Sequence, residues 1–311
     1  MRGHHYHRFA PTLFFDGEDG LKQEEAPVDN LMIAFSELLG FVVKFCVILQ
    51  PLLSKTMQFI DTHTHLSDRA FIGEEDAVIR RALGAGVEKM LQPDVDSTER
   101  DAMLALCRKY PDSLKPMLGL YPGSVKENWR DEIDLMMQHI DEKPVAIGEI
   151  GMDYHYGAEF AAEQKEAFRT QLELAASLGL PVNIHLREAT DDFFKILDDC
   201  RHLGLVGNLH AFSGSYETFC RLSKYGDWFV GIGGVVTFKN ASLAEAVKKI
   251  PLDRIVLETD SPYLTPVPYR GKRNDSSYIP VIAEKVASLQ GVDIEQVAEQ
   301  TTLNAKTLFN L

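Results

Sequence analysis

Residues 144–185 read PVAIGEIGMDYHYGAEFAAEQKEAFRTQLELAASLGLPVNIH, and one architectural unit lies within them. PVAIGE, 144–149, is a short apolar run opened by a proline, the pattern of a buried strand. From Ala158 to Leu178 the period changes: Phe160, Gln164, Phe168, Leu172, Ala175 and Leu178 return at three- and four-residue steps, as one face of a helix does. Gly179 stops that helix, and Pro181 opens a second strand, PVNIH, 181–185. Strand, helix and strand in this order make a parallel pair with a helical crossover. Glu149 and His185 stand at the ends of the two strands.

The alternation repeats on both sides of this unit. Strands are predicted at 58–62 (QFIDT), 88–93 (EKMLQP), 115–119 (KPMLG), 144–149, 181–185, 206–210 (VGNLH), 228–233 (WFVGIG) and 254–259 (RIVLET), with helical patterns between them. Eight strand–helix units in about 250 residues are the size of one (β/α)8 TIM barrel, closed by right-handed crossovers. A doubly wound open sheet is the competing α/β fold. It would need a GxGxxG turn after the first strand, where this chain carries histidines. A last helical stretch, 294–311, is expected to cover the bottom or side of the barrel.

The chain has 311 residues, 45% of them hydrophobic and 25% charged, and a net charge of −14. That acidity excludes a broad basic face of the kind that coats duplex DNA by displacing counterions, so any nucleic-acid contact must be local or assisted by metal. Cys46, Cys107, Cys200 and Cys220 form no CxxC pair and read as reduced thiols of a cytoplasmic protein. Residues 1–56 differ from the rest, with an acidic stretch followed by an apolar run from Leu31 to Leu53. The run contains Glu37 and Lys44, lacks a basic cluster in front and shows no cleavage site, so it fits neither a signal peptide nor a spanning helix well. Met57 stands directly before the first strand. Residues 1–56 are therefore expected to be an N-terminal extension, dispensable to a barrel domain over 57–311, and no stable membrane association is expected.

His63 and His65 follow strand one, Glu149 ends strand four, His185 strand five and His210 strand six, and Asp260 follows strand eight. Every one lies at a carboxyl end, where barrel enzymes build their sites. Singly, a histidine ending a strand is more often a hydrogen-bonded structural residue. Six ligand-type side chains at one end are harder to explain without metal, because buried imidazoles and carboxylates are costly unless paired or coordinated. Imidazole and carboxylate without thiolate suit Zn²⁺, Mn²⁺, Co²⁺ or Mg²⁺. Six are more than one ion needs, so two divalent ions are expected, with Glu149 shared, His63, His65 and Asp260 on one, and His185 and His210 on the other. Asp61 and Glu258, at even offsets from these residues, are expected to orient them. Such a centre activates water and points to hydrolysis at phosphorus or carbonyl carbon.

The motifs IDTHTHL (60–66), GEIGMDY (148–154), PVNIHLREA (181–189), LHAFSGS (209–215), ETDSPYL (258–264) and PYRGKRN (268–274) occur in that order. In them the chain, from Met57 to Leu311, resembles the TatD family of metal-dependent deoxyribonucleases among the amidohydrolase-like barrels. The resemblance implies the same six metal ligands, with Asp260 as the proton acceptor from the attacking water. It also implies a 3′→5′ exonuclease acting on ends of single-stranded DNA, with some action on RNA. Arg187, Arg270, Lys272 and Arg273 lie close to ligand positions in sequence and are candidates for holding substrate phosphates. Tyr154, Phe212 and Tyr263 are candidates for stacking on bases, against the commoner role of packing.

Two departures from the family pattern stand out. Tyr121, in Gly119-Leu120-Tyr121-Pro122-Gly123, replaces a histidine common in relatives, and Asp275-Ser276-Ser277 replaces the usual Glu-Pro after PYRGKRN. Two other functions compete with the nuclease: a metal-dependent esterase or amidase, such as a D-aminoacyl-tRNA deacylase, and a metal-binding scaffold without catalysis. The scaffold leaves the full set of six unexplained.

Overall fold

The computed structural model describes residues 57–155, 157–239 and 241–311. The expectation for residues 1–56, Cys46 included, lies outside the described residues. Eight parallel strands follow in chain order: β1 (Phe59–Asp61), β2 (Val87–Gln92), β3 (Leu114–Pro116), β4 (Ile147–Asp153), β5 (Val182–Arg187), β6 (Gly207–Leu209), β7 (Phe229–Ile232) and β8 (Ile255–Leu257). They form two arcs, β1-β2-β3 and β4-β5-β6-β7-β8. Parallel bridges span both seams, Leu118 to Ile147 and Thr64 to Ser261. At those seams Leu118 N–H donates to Ala146 at 3.2 Å and Thr62 N–H to Leu257 at 3.0 Å. The chain thus has the TIM-barrel class of fold.

Helices α1 (Glu75–Gly84), α2 (Arg100–Lys109), α3 (Trp129–Met137), α4 (Ala161–Leu178), α5 (Thr190–Asp199), α6 (Tyr216–Leu222) and α7 (Leu243–Val247) fill the crossovers, and α8 (Ile279–Gln290) and α9 (Ile294–Phe309) follow β8. Their apolar stripes explain the packing. On α4, for example, Gln164, Ala167, Phe168, Gln171, Leu172 and Ala175 are buried at helical spacing, and Gly179 ends the helix at φ 66°.

The end of the barrel where the strands begin is plugged. Ile60, Leu91, Met117, Ala146, Phe229 and Val256, from six positions around the ring, form one buried cluster with Ala305, Leu308 and Phe309 of α9. Polar contacts fix that helix in place. Thr302 Oγ1 donates to Gln58 O at 2.8 Å, and Asn304 Nδ2 donates to Leu252 O and Ile255 O at 2.9 and 2.7 Å. The terminal helix therefore covers the bottom. Among the described residues, no helix is long and apolar enough to cross a membrane.

Two strands run further than their sequence suggested. β4 continues past Glu149 to Asp153, and β5 past His185 to Arg187, so these two residues lie within their strands and not at the last position. Gly151 and Asp153 look like loop residues in isolation. The ladder from Gly151–His185 to Asp153–Arg187 carries them on.

Candidate metal centre

All six ligand-type side chains meet at the carboxyl end of the strands. His63 Nε2 lies 3.2 Å from His65 Nε2, and Asp260 Oδ1 lies 3.8 and 3.5 Å from the two nitrogens. On the other side, His185 Nδ1 lies 3.1 Å from His210 Nε2. Glu149 stands between these groups and divides its oxygens. Oε1 is 2.8 Å from both His185 Nδ1 and His210 Nε2, while Oε2 is 3.4 Å from His63 Nε2 and 3.8 Å from His65 Nε2. The donor atoms of His63, His65 and Asp260 fall within 4.8 Å of one another, as do those of His63, Glu149 and His210.

The fit to metal can be tested on these atoms. Two imidazole nitrogens at 3.2 Å match the edge of a tetrahedron whose bonds are about 2.0–2.1 Å long, as in zinc sites. On His63 and His185 the far nitrogen is occupied in the manner metal-bound histidines require, whereas His210 Nδ1 has, among the described residues, only Glu258, 3.8 Å away. His63 Nδ1 donates to Asn183 Oδ1 at 2.8 Å, which leaves the Nε2 lone pair facing the cluster. His185 Nε2 donates to Asp153 Oδ2 at 3.0 Å, freeing Nδ1 in the same way. The donor set therefore suits divalent cations.

Charge in the cluster is shared unevenly. Burial would raise the Glu149 carboxyl, but His210 and His63 beside it, with hydrogen bonds from His185 and His210, hold it well below the usual range. Burial opposes charge on His210, yet Glu149 and Glu258 raise its pKa well above the ordinary value. His63, fully buried and next to His210, is lowered. Asp260 is lowered against the effect of burial by His65, His210 and His63. These carboxylates demand positive charge at the centre. Asp260 also sits at φ 54°, a left-handed conformation costing on the order of 1 kcal/mol for a residue with a side chain. Its N–H donates to His63 O at 2.9 Å, and its C=O accepts from Tyr263 N at 2.9 Å.

Asp61 holds the backbone around the ligands and makes no hydrogen bond to their side chains, whereas Glu258 holds backbone and faces one ligand ring. Asp61 accepts from the His63 amide at 3.3 Å and from the Thr259 amide and hydroxyl at 3.0 and 2.6 Å, fastening the bend after β1 to the segment after β8. Burial pushes its carboxyl up to about 7. Glu258 faces His210, with Oε1 3.8 Å from Nδ1, and accepts from the Ala211 amide, so it supports His210 and not its neighbour Asp260. Gly231 makes room for it, since a Cβ there would lie 2.0 Å from Glu258 Oε2.

The substrate candidates are placed less uniformly. Arg187, exposed at the end of β5, lines a cleft of about 350 Å³ beside His210 with Glu188, Thr190, Ser213 and Thr218. Arg270 lies over the Phe238 ring at 3.9 Å and Lys272 over Tyr269 at 5.6 Å. Arg273 is committed to Glu74 at 2.7 Å and to Ala70 O, and packs over Phe71. Tyr154 packs against the core, with its hydroxyl donating to Asp192 at 3.0 Å. Phe212 is buried, whereas Tyr263 is 54% exposed, with its ring edge toward His65. Tyr121 stands edge-on to His185 at 5.2 Å, its hydroxyl 3.5 Å from Asp153. In the other departure from the family pattern, Asp275 caps Ser277 and pairs with Arg81 at 2.9 Å.

Sequence reasoning missed Asn183 and Asp153. Each carried a signal, for Asn183 is two residues before His185 and Asp153 four after Glu149, even offsets that share a strand face. Gln164 of α4 grips Asp153 through both main-chain groups, at 3.0 Å each.

The model of the family described as TatD related DNase matches residues 60–310. The metal-dependent hydrolase YabD of Bacillus subtilis is 38% identical over 253 residues, covering 81% of this chain and 98% of that protein. The 3′-5′ ssDNA/RNA exonuclease TatD of Erwinia tasmaniensis is 36% identical over 259 residues, covering 81% and 99%. Among solved structures, the TatD homologue YjjV of Escherichia coli K12 superposes with a TM-score of 0.77 at 29% identity, over 82% of this chain and 99% of its own. Barrel, cluster and relatives agree: the chain belongs to the TatD family of metal-dependent hydrolases.

Proposed function

We propose that this chain is a 3′→5′ exonuclease acting on ends of single-stranded DNA, and on RNA, with two divalent cations held by His63, His65, Glu149, His185, His210 and Asp260. One observation carries the reading: Glu149 turns one oxygen to His63 and His65 and the other to His185 and His210, as a carboxylate shared between two ions does. His63, His65 and Asp260 would hold one ion, and His185 and His210 the other. Zn²⁺, Mn²⁺, Co²⁺ and Mg²⁺ all suit the donors. When bound, such ions lower the pKa of water and neutralise charge on a phosphodiester.

The residues do the rest. Asp260, 17% exposed at the mouth, is placed to take the proton of the attacking water on a carboxylate oxygen. Asn183 and Asp153 keep the protons of His63 and His185 on the side away from the cluster. Arg187 in its cleft, with Arg270 and Lys272 of the loop that follows Asp260 in sequence, supplies local positive charge to a chain whose net charge is −14. Exonuclease activity in the names of two relatives supports the substrate class. Free thiols at Cys107, Cys200 and Cys220 support a cytoplasmic setting. Incubation with 3′- and 5′-labelled single strands across the four metals tests the reading. Stepwise loss from the 3′ end, abolished by chelator, is expected; deacylation of D-aminoacyl-tRNA with intact phosphodiesters would replace it.

A further inference from the structure

Beside Glu149 lies a buried ion pair outside the cluster. Asp94, just past β2, is 1% exposed, and Arg100, the first residue of α2, is 2% exposed. Arg100 Nε donates to Asp94 Oδ2 at 2.7 Å, and the Gly119 amide donates to the same oxygen at 3.3 Å. The main chain of Asp94 reaches the other way. Its N–H donates to Gly148 O and its C=O accepts from the Glu149 N–H, both at 3.2 Å. One residue thus ties the ends of β2 and β3 to the peptide that carries Glu149. The space is tight, since a Cβ on Gly119 would lie 2.7 Å from the Gly148 carbonyl carbon and 3.0 Å from Glu149 N.

As a device for stability alone the pair is poor. Asp94 Oδ1 and Arg100 Nη2 are buried without a hydrogen-bond partner among the described residues, and apolar side chains of equal volume commonly stabilise such a position better. We propose that Asp94, braced by Arg100, is a positioning residue that fixes Glu149 so that its two oxygens address the two halves of the cluster. The proposal rests on the two-ion reading above. It carries an asymmetry. The half with His63 and His65 keeps Asp260 as a second carboxylate, whereas among the described residues Glu149 is the one carboxylate facing the cluster-side nitrogens of both His185 and His210, Asp153 lying on the far nitrogen of His185. Displacing Glu149 therefore weakens one ion selectively.

The test uses full-length, metal-free protein titrated with Mn²⁺ by calorimetry, with metal content measured after dialysis and folding followed by circular dichroism. Asp94→Asn is compared with the double variant Asp94→Asn/Arg100→Met, which removes both buried charges and leaves no stranded guanidinium. The wild type is expected to take two ions. Either folded variant should keep the first within about threefold and lose affinity for the second by about tenfold or more, the range for residues that support ligands indirectly. Two ions at wild-type affinity, or equal weakening of both, overturns the proposal and leaves the two-ion reading standing. A double variant that does not fold makes the pair structural and overturns it too. Wild-type protein that binds fewer than two ions removes the two-ion reading and the proposal together.

Discussion

Replacing Asn183 by alanine should weaken metal binding at His63 without touching any ligand. Asn183 is fully buried, and its Oδ1 accepts the His63 Nδ1 proton at 2.8 Å. Without metal, the variant imidazole can move its proton to Nε2, where Glu149 Oε2 stands 3.4 Å away, so no donor need remain unpaired. With metal bound, Nε2 must be bare and the Nδ1 proton has no acceptor. An unpaired buried donor costs about 1–3 kcal/mol, and here the cost falls on the loaded state alone. That corresponds to about a 5- to 150-fold loss of affinity, overlapping the 10- to 100-fold typical of such partners. Asn183→Asp, which can accept the same proton, should retain affinity. Competition against a chromogenic chelator measures both variants. Wild-type affinity in a folded Asn183→Ala protein would refute the tautomer argument.

Glu149→Gln and Asp260→Asn should each lower turnover by orders of magnitude while circular dichroism stays native, because each removes charge from the centre; near-wild-type cleavage by both would end the mechanism. Phe309→Ala, which empties part of the plug, should cost about 3–5 kcal/mol, or a fall of about 6–20 °C in Tm, with metal affinity unchanged. Asp192 is held at about 2 by Lys165, Lys195 and Tyr154, below its ordinary 3.8. A depressed carboxyl stabilises the fold above 3.8 and loses that contribution as pH falls through about 2. Asp192→Asn should therefore be less stable than wild type in urea at pH 7, with the gap closing toward pH 2. Arg187→Ala should raise KM for single strands and make the salt dependence shallower by about one unit of slope, with bound metal unchanged.

The eight-strand alternation was legible because apolar residues recur at helical spacing between short apolar runs, and the cluster because histidines and carboxylates stand at or just past the ends of those runs. The extent of β4 and β5 was not, since the ladder that carries Gly151 and Asp153 onward is paired by residues more than thirty positions away. Asn183 and Asp94 read as polar residues near strands, and only the fold shows that one holds a ring proton and the other a peptide. The basic loop shows a similar limit. Charge at Arg273 is visible in sequence, but its partner Glu74 is 199 residues away, so a side chain expected to meet phosphate is spent on a carboxylate.

The plug formed by Ala305, Leu308 and Phe309 makes the barrel blind-ended. On the proposed exonuclease reading, a strand whose terminus reaches the cluster has no way onward through the packed ring, so each released fragment must leave by the opening through which the strand came in. Cleavage and exit then compete for one doorway.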